Sequence, residues 1–242
     1  MLTLDPNKLP LKQGDTVLDL GCGEGRHTLG LAYLHQQEAI SFVGLDLNFT
    51  DLQTASGRLC EQQLNDPQHL RRANTTFITG NGLILPFRDN SFDHVVCSEV
   101  LEHIPDFEAM LLEIHRVLKP GGNLCVSVPR AWPEKICWRL EQRYHQVEGG
   151  HVRIFNGHTL QHLIAANGYQ LHSRHWAHAL HVPYWWLRCL FWDRGEHFFP
   201  VKFYHTLLVW DLFKKPWLTQ TLDKILNPFM GKSLVLYFTK KI

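Results

Sequence analysis

Residues 16–28 read TVLDLGCGEGRHT, and no other stretch of the chain carries as much chemical information. An apolar run (Val17, Leu18, Leu20) stops at Gly21, glycines follow at alternate positions (Gly21, Gly23, Gly25), and Arg26 opens a segment with helical spacing (Leu29, Ala32, Tyr33). A strand that ends in glycines and turns at once into a helix lets a ligand approach the backbone, because no Cβ stands in the way. The helix beyond it offers unpaired N–H groups to an anionic or polar ligand. An acid, Asp19, stands inside the strand end just before the first glycine. A second acid, Asp46, closes the apolar run ISFVGLDLN at 40–48. A carboxylate at that strand tip can accept hydrogen bonds from both hydroxyls of a ribose lying across the strand ends. The G-x-G-x-G spacing differs from the dinucleotide pattern G-x-G-x-x-G, yet taken alone it leaves a nicotinamide or other nucleotide site open.

The elements that position these residues follow from apolar periodicity. Strands are expected at about 16–20, 40–45, 75–79, 92–97 and 123–128, with helices at about 26–37, 49–64 and 106–118 between them. Alternating β and α at this spacing predicts a parallel sheet covered by helices on both faces. Lys119-Pro120-Gly121-Gly122 marks a helix end turning into a strand. Further on, helices are expected at 133–144 and 158–167, and strands at 168–179 and 233–238. Between these last two strands lie thirteen aromatic residues, from Tyr184, Trp185 and Trp186 through Phe213 and Trp217 to Phe229. The whole reads as one α/β domain over 1–242. Its halves are a cofactor-binding part (1–129) and an acceptor-side part (130–242) that carries a helical cap at about 181–231.

At 242 residues and 45% apolar composition, the chain is long enough to bury a sizeable core. Its six cysteines (22, 60, 97, 125, 137, 189) are scattered, without C-x-x-C, as expected of reduced thiols in a cytoplasmic setting. No signal peptide and no apolar run of transmembrane length is read. Net charge is +1, but unevenly spread: residues 1–129 hold 9 Lys/Arg against 16 Asp/Glu, and residues 130–242 hold 15 against 7. A basic second half points to anionic partners.

The glycine loop and Asp46 are followed by GNGLILPFRDNSFDHVVCSEVLEHI at 80–104 and VLKPGG at 117–122. Taken in order, these motifs resemble the small-molecule branch of the class I S-adenosylmethionine-dependent methyltransferases across residues 16–128. The resemblance implies a doubly wound, Rossmann-like, seven-stranded and mostly parallel sheet with one antiparallel strand, to which the aromatic-rich helical insert is added. It also implies S-adenosylmethionine as cofactor. Asp19 and the Gly21–Gly23–Gly25 loop would cradle the methionine part, Asp46 would hold the ribose, and Leu47 would pack on the adenine. Asn81 stands where the family usually has Asp, and its carbonyl oxygen offers the same acceptor without the charge. Gly82 and Leu83 would approach the same ring, and Cys97 and Ser98 would line the wall near the methionine part.

Methyl transfer from a sulfonium is an in-line displacement, so the protein must align the groups and exclude water. A hydroxyl or acidic-carbon acceptor also benefits from a base, and histidine suits that work near neutral pH. His103, just after the fourth strand, and His151, after Gly149-Gly150, are the candidates for base or acceptor ligand; Glu99 and Glu102 stand nearby. Trp132, Tyr144 and Glu148 fall where such enzymes shape the acceptor pocket, and Arg153 could meet an anionic group. His172, His175, His178 and His181 do not read as a metal site, since residues three apart on a strand face opposite sides, and no metal is expected.

The absence of N-P-P-aromatic at 97–99 argues against amino-group acceptors. The insert reads either as plain core or as a lid over an apolar, lipid-like acceptor. Its interleaved Lys202, Lys214 and Lys215 also suit peripheral contact with a membrane surface. Nucleic acid is not expected as a partner, and oligomeric state is not readable. The expected reaction is O- or C-methylation of a small apolar or lipid-like acceptor. An RNA methyltransferase and a non-catalytic cofactor-binding protein are the alternatives.

Overall fold

A computed structural model describes residues 1–36, 38–65, 74–147 and 149–242. Its first half alternates strand and helix: β1 (Thr16–Leu20), α1 (Arg26–Leu34), β2 (Ser41–Asp46), α2 (Phe49–Asn65), β3 (Asn74–Thr79), β4 (Phe92–Ser98), α3 (Phe107–Val117) and β5 (Leu118–Pro129). There follow α4 (Ala131–Leu140), α5 (Arg143–Gln146), α6 (Gly157–Ala166) and β6 (Tyr169–Ala177). The cap helices α7 (His181–Leu190), α8 (Phe199–Lys214) and α9 (Trp217–Met230) precede the last strand, β7 (Ser233–Lys240).

The seven strands form one sheet in the order β3-β2-β1-β4-β5-β7-β6. The pairs from β3 to β5 are parallel, while β7 runs antiparallel to both β5 and β6, down to the partnering of Ala177 with Ser233. The expected doubly wound sheet with a single reversed strand is therefore the observed one. Strands buried on both faces must be apolar on both, and the alternation shows which face each residue serves. Leu18, Leu20, Val95 and Cys97 join the core beneath α3 and α6, whereas Val17, Phe42, Val96 and Tyr237 join the core that includes Leu31 and Ala32 of α1. Chain order reverses between β1 and β4, and at such a point the loops leaving the strand tips part and open a crevice.

Local chemistry sets the helix ends. The Asp106 side chain accepts the Ala109 N–H at 3.2 Å, and His115 and Arg116 occupy the last turn of α3, complementing its dipole at both ends. Arg116 also donates to the carbonyls of Leu85 and Phe87 and to the Glu113 carboxylate, which ties the 83–89 loop to α3.

Several boundaries differ from expectation. The helix expected at 133–144 breaks at Glu141, whose backbone is extended and whose carboxylate turns back to take the Arg143 N–H and guanidinium. The first helix ends at Leu34 rather than at 37, and β5 begins at Leu118, taking in the Pro-Gly-Gly turn. The pairing of β6 with β7 shifts register between Leu171 and Ser173, so His172 and His175 both lie beside the Tyr237 ring instead of on opposite faces.

Candidate active site

The glycine loop leaves β1 at the crevice. Gly21, Gly23 and Gly25 all take positive φ (71°, 52° and 79°), a region that side chains with a Cβ enter at a cost. Two of them serve different needs. A Cβ at Gly21 would come within 2.4 Å of the Val100 side chain, whereas one at Gly23 would meet nothing within 4 Å. Gly21 is therefore required for packing, and Gly23 keeps open the space that a ligand would take.

Asp19 points away from that space. Its Oδ2 accepts both the Thr28 N–H (2.9 Å) and the Thr28 hydroxyl (2.5 Å), and the residue is buried. Because Thr28 lies in the first turn of α1, Asp19 caps that helix from a neighbouring strand. Burial pushes its carboxyl up to about 6 in spite of the Thr28 bonds. Asp19 thus positions the loop–helix junction, and the expected direct contact with the methionine part is not what its geometry favours.

Asp46 spans the mouth of the loop. Its Oδ2 accepts the Gly23 N–H at 2.7 Å and its Oδ1 the Asn48 N–H at 2.8 Å. Each carboxylate oxygen keeps a second lone pair for a hydroxyl. Beside it Leu47 is 73% exposed, an apolar side chain at the crevice with little of its own to pack on. The Asn81 side-chain carbonyl oxygen accepts the Leu83 N–H at 2.9 Å, which fixes the turn at 81–83. Gly82 is accounted for by the core, since a Cβ there would lie 2.5 Å from Met110 Cε.

Cys97 does not line the wall. It is fully buried on the α3 face of the sheet, and burial raises its thiol well above the ordinary range. Glu99, two residues on, lines the cleft, with Ser98 buried behind it. Ser98 Oγ lies 2.8 Å from Ser127 Oγ, which donates to Glu99 Oε1 at 2.8 Å, so the Ser98 proton must point to Ser127. Glu99 itself holds φ 57°.

Across from this wall the cap closes a cleft of about 490 Å³. Thr3, Arg26 and Glu99 line it from the sheet side, and Tyr184, Trp185 and Leu208 line it from the cap. The extended residues before β1 cross its edge: the Thr3 N–H bonds to His27, and its hydroxyl meets Arg26 and His178. His27 is buried and its pKa falls to about 3, while burial takes His181 down to about 4. The cap aromatics divide. Trp185, Trp186 and Trp192 pack around Cys137, Tyr144 and Cys189, but Phe199, Phe213, Trp217 and Phe229 are each at least 70% exposed. Plain core therefore accounts for α7, and not for α8 and α9.

The two candidate histidines, distant in sequence, are brought together. Their rings lie edge to face with centroids 4.8 Å apart. His103 Nδ1 is 3.3 Å from the Gly150 carbonyl, and burial followed by the His151 charge lowers its pKa. His151 Nδ1 is 2.6 Å from Glu134 Oε1. Burial pushes Glu134 up, but the His151 hydrogen bond and charge outweigh it and leave the carboxyl below its usual range. Glu102 is fully buried, and burial with the Glu99 charge raises its carboxyl well above that range. Arg153 is committed to the Ile104 and Pro105 carbonyls and to the Phe107 ring, so it is structural. Tyr144 is buried against Glu134, Trp132 lies in a separate groove, and Glu148 falls outside the described residues.

A family model described as "Methyltransferase domain" matches residues 3–174, which includes the glycine loop, both strand-tip acids and the histidine pair. The chain belongs to the methyltransferase-domain family. A demethylmenaquinone methyltransferase of Lactiplantibacillus plantarum is 42% identical over 108 residues, covering 45% of this chain and 42% of that protein. A sterol 24-C-methyltransferase of Pneumocystis carinii is 35% identical over 147 residues, covering 61% of this chain and 34% of that one. The chain spans about half the length of the curated relatives it matches. Among solved structures, a SAM-dependent methyltransferase of Methanosarcina mazei superposes with a TM-score of 0.60 at 19% identity, with all of both chains covered. At that identity the likeness shows the fold alone.

Within this methyltransferase domain, sequence reasoning missed Thr3, Glu134, Lys232 and the cleft-lining His178 and His181. Glu134 sits in an ordinary helical stretch, and nothing in PEKIC signals that its carboxylate meets His151. Lys232 lines the cleft and lies 5.1 Å from the Trp185 ring centroid, a cation–π pair that only the return of β7 creates.

Proposed function

We propose that the chain is an S-adenosylmethionine-dependent methyltransferase acting at oxygen or carbon of a lipid-like acceptor. The observation that carries this reading is the cleft between the cofactor half and the cap, polar where Arg26 and Glu99 face it and apolar where Tyr184, Trp185 and Leu208 do. Pockets for bulky apolar ligands are lined in this way. Relatives that bear quinone and sterol methyltransferase names support the same class of acceptor.

The residues present fit the cofactor. Gly23 leaves open the volume that a Cβ would fill, Asp46 retains acceptor capacity on both oxygens, and Leu47 offers an apolar face at the β2 tip. When bound, S-adenosylmethionine supplies an electrophilic methyl group on a sulfonium. The chain's own residues bind and orient: Asp19 fixes the start of α1, Asp46 braces the glycine loop, and the Ser98–Ser127–Glu99 chain holds the cleft wall. The cap side chains exclude water from the acceptor end.

The outer face of the cap supports delivery of the acceptor from a membrane. Phe199, Phe203, Phe213, Trp217 and Phe229 are exposed on α8 and α9, and the exposed Lys202, Lys214, Lys215 and Lys224 lie among them. Aromatic rings with interleaved lysines suit the headgroup layer of an anionic membrane.

The test is incubation with methyl-labelled cofactor and fractionated cell extract, followed by mass identification of the product. Label in an organic-extractable metabolite is expected. Label confined to RNA, or none in any fraction while the cofactor still binds, would overturn the reading.

A further inference from the structure

Glu102 is an unusual residue to find fully buried. Its side chain is 1% accessible, and among the described residues neither carboxylate oxygen has a hydrogen-bond partner. A carboxyl group removed from water without a partner either holds its proton or must be met by a cation. The groups around it are ones that hold cations. One donor atom each from Glu102, His103 and His151 lie within 4.8 Å of one another, with Glu102 Oε1 4.0 Å from His103 Nε2.

The other ring nitrogens are already engaged. His103 Nδ1 faces the Gly150 carbonyl and His151 Nδ1 faces Glu134, so each Nδ1–H donates outward and each Nε2 keeps its lone pair. Histidines that ligate metals are oriented in this way, through a carbonyl or carboxylate on the far nitrogen. The local composition agrees: Glu99, Glu102 and Glu134 bring three carboxyl groups together, and Lys232 is the lysine that faces them.

We propose that Glu102, His103 and His151 bind a divalent transition-metal ion, with Glu134 and the Gly150 carbonyl orienting the two imidazoles. Two nitrogens and one oxygen favour Zn²⁺, Fe²⁺ or Mn²⁺ over Ca²⁺ or Mg²⁺, and three protein ligands leave at least one coordination position for water or another oxygen donor. Donor atoms about 2 Å from a shared ion stand closer together than 4.8 Å, so the ligands draw in slightly on binding. The site lies in the turn after β4, three residues beyond the cleft-lining Glu99. Sequence reading offered its two histidines as bases and expected no metal. The inference does not depend on methyl transfer.

The test uses the untagged 242-residue chain stripped with chelator. Zn²⁺ is titrated by calorimetry, and Co²⁺ by its visible absorption. His158 and His162, whose Nε2 atoms are 3.1 Å apart on exposed α6, form a competing surface pair, so all proteins carry His162→Gln. One Zn²⁺ per chain is expected, and Co²⁺ bands of four- or five-coordinate intensity. Glu102→Gln and His151→Asn are each expected to weaken Zn²⁺ binding more than tenfold, and Glu134→Gln by about 10–100-fold as an orienting group. Glu102→Gln removes a buried acid and is expected to melt no lower than its parent without metal. Where it does not fold, Glu134→Gln, which keeps all three ligands, supplies the reading. Absence of stoichiometric Zn²⁺ binding in the His162→Gln parent, or equal affinity in the folded variants, would overturn the proposal.

Discussion

Gly23→Ala separates the demands of folding from those of the ligand. The residue sits at φ 52°, and an added Cβ would meet nothing within 4 Å. The protein should therefore bear the left-handed strain alone, about 1–2 kcal/mol. Gly14 supplies a matched control: at φ 89° its Cβ would also enter open space, but in the turn ahead of β1 and away from the crevice. Both variants should lose similar stability in urea. Only Gly23→Ala places a methyl group where the cofactor's methionine part is expected, and we expect calorimetry with S-adenosylhomocysteine to show at least a tenfold loss of affinity, about 1.4 kcal/mol. Gly14→Ala should bind as the parent does. Unchanged affinity in a folded Gly23→Ala protein would refute the cradle and with it the reading of the loop.

Three further outcomes are expected. Asp46→Ala should weaken S-adenosylhomocysteine binding by about 1.5–3 kcal/mol, the worth of hydrogen bonds to a charged acceptor, beyond a modest fall in the urea midpoint from the lost Gly23 and Asn48 bonds. Stability should fall on acidification. The folded pKa values of His27 (about 3) and His181 (about 4) lie below the unfolded value of 6.5, so the unfolded chain takes up protons first, and the stability held above pH 6.5 is lost as pH drops. Between pH 7 and 5 each costs about 2 kcal/mol, and Asp19, raised to about 6, returns about 1 by protonating in the folded state, for a net loss of about 2–3 kcal/mol; a urea midpoint independent of pH in that range would contradict this. Phe213→Ser with Trp217→Ser should reduce sedimentation with anionic vesicles more than tenfold, given about 1.5–3 kcal/mol for each large side chain buried. Equal sedimentation of the parent protein with neutral and anionic vesicles would remove the role given to the lysines.

The parts of the fold legible in sequence are those set by local signals. Strands buried on both faces show as unbroken apolar runs, glycines mark the exit from β1, and acids mark the strand tips, so β1 to β5 and the loop between β1 and α1 lie close to where periodicity puts them. Direction was harder than position. Asp19 and Asp46 are both strand-end acids, but the two-residue alternation of β1 turns Asp19 under α1 toward Thr28, while Asp46 faces the loop. Cys97 and Ser98 are neighbours on one strand and thus point to opposite faces, so only one of them could reach the wall. The pairing of His103 with His151 depends on where the segment after α5 returns to the turn beyond β4, where the Val152 N–H bonds to the Glu102 carbonyl. No periodicity encodes a contact of that kind. The exposure of the α8 and α9 aromatics was equally invisible, since helical spacing of large residues reads the same whether the stripe meets a core or not.

Ala177 and Ser233 face each other across two antiparallel strands, although 55 residues separate them in the chain. The intervening helices are thus spliced into what is otherwise a β-hairpin, and their excision would leave two ends that a short turn could join. Insertions and losses at such a junction leave the sheet register and the glycine loop untouched. Under the proposed function, the part of the molecule that would select the acceptor can therefore change in size and shape while the part that would hold the methyl donor keeps its geometry.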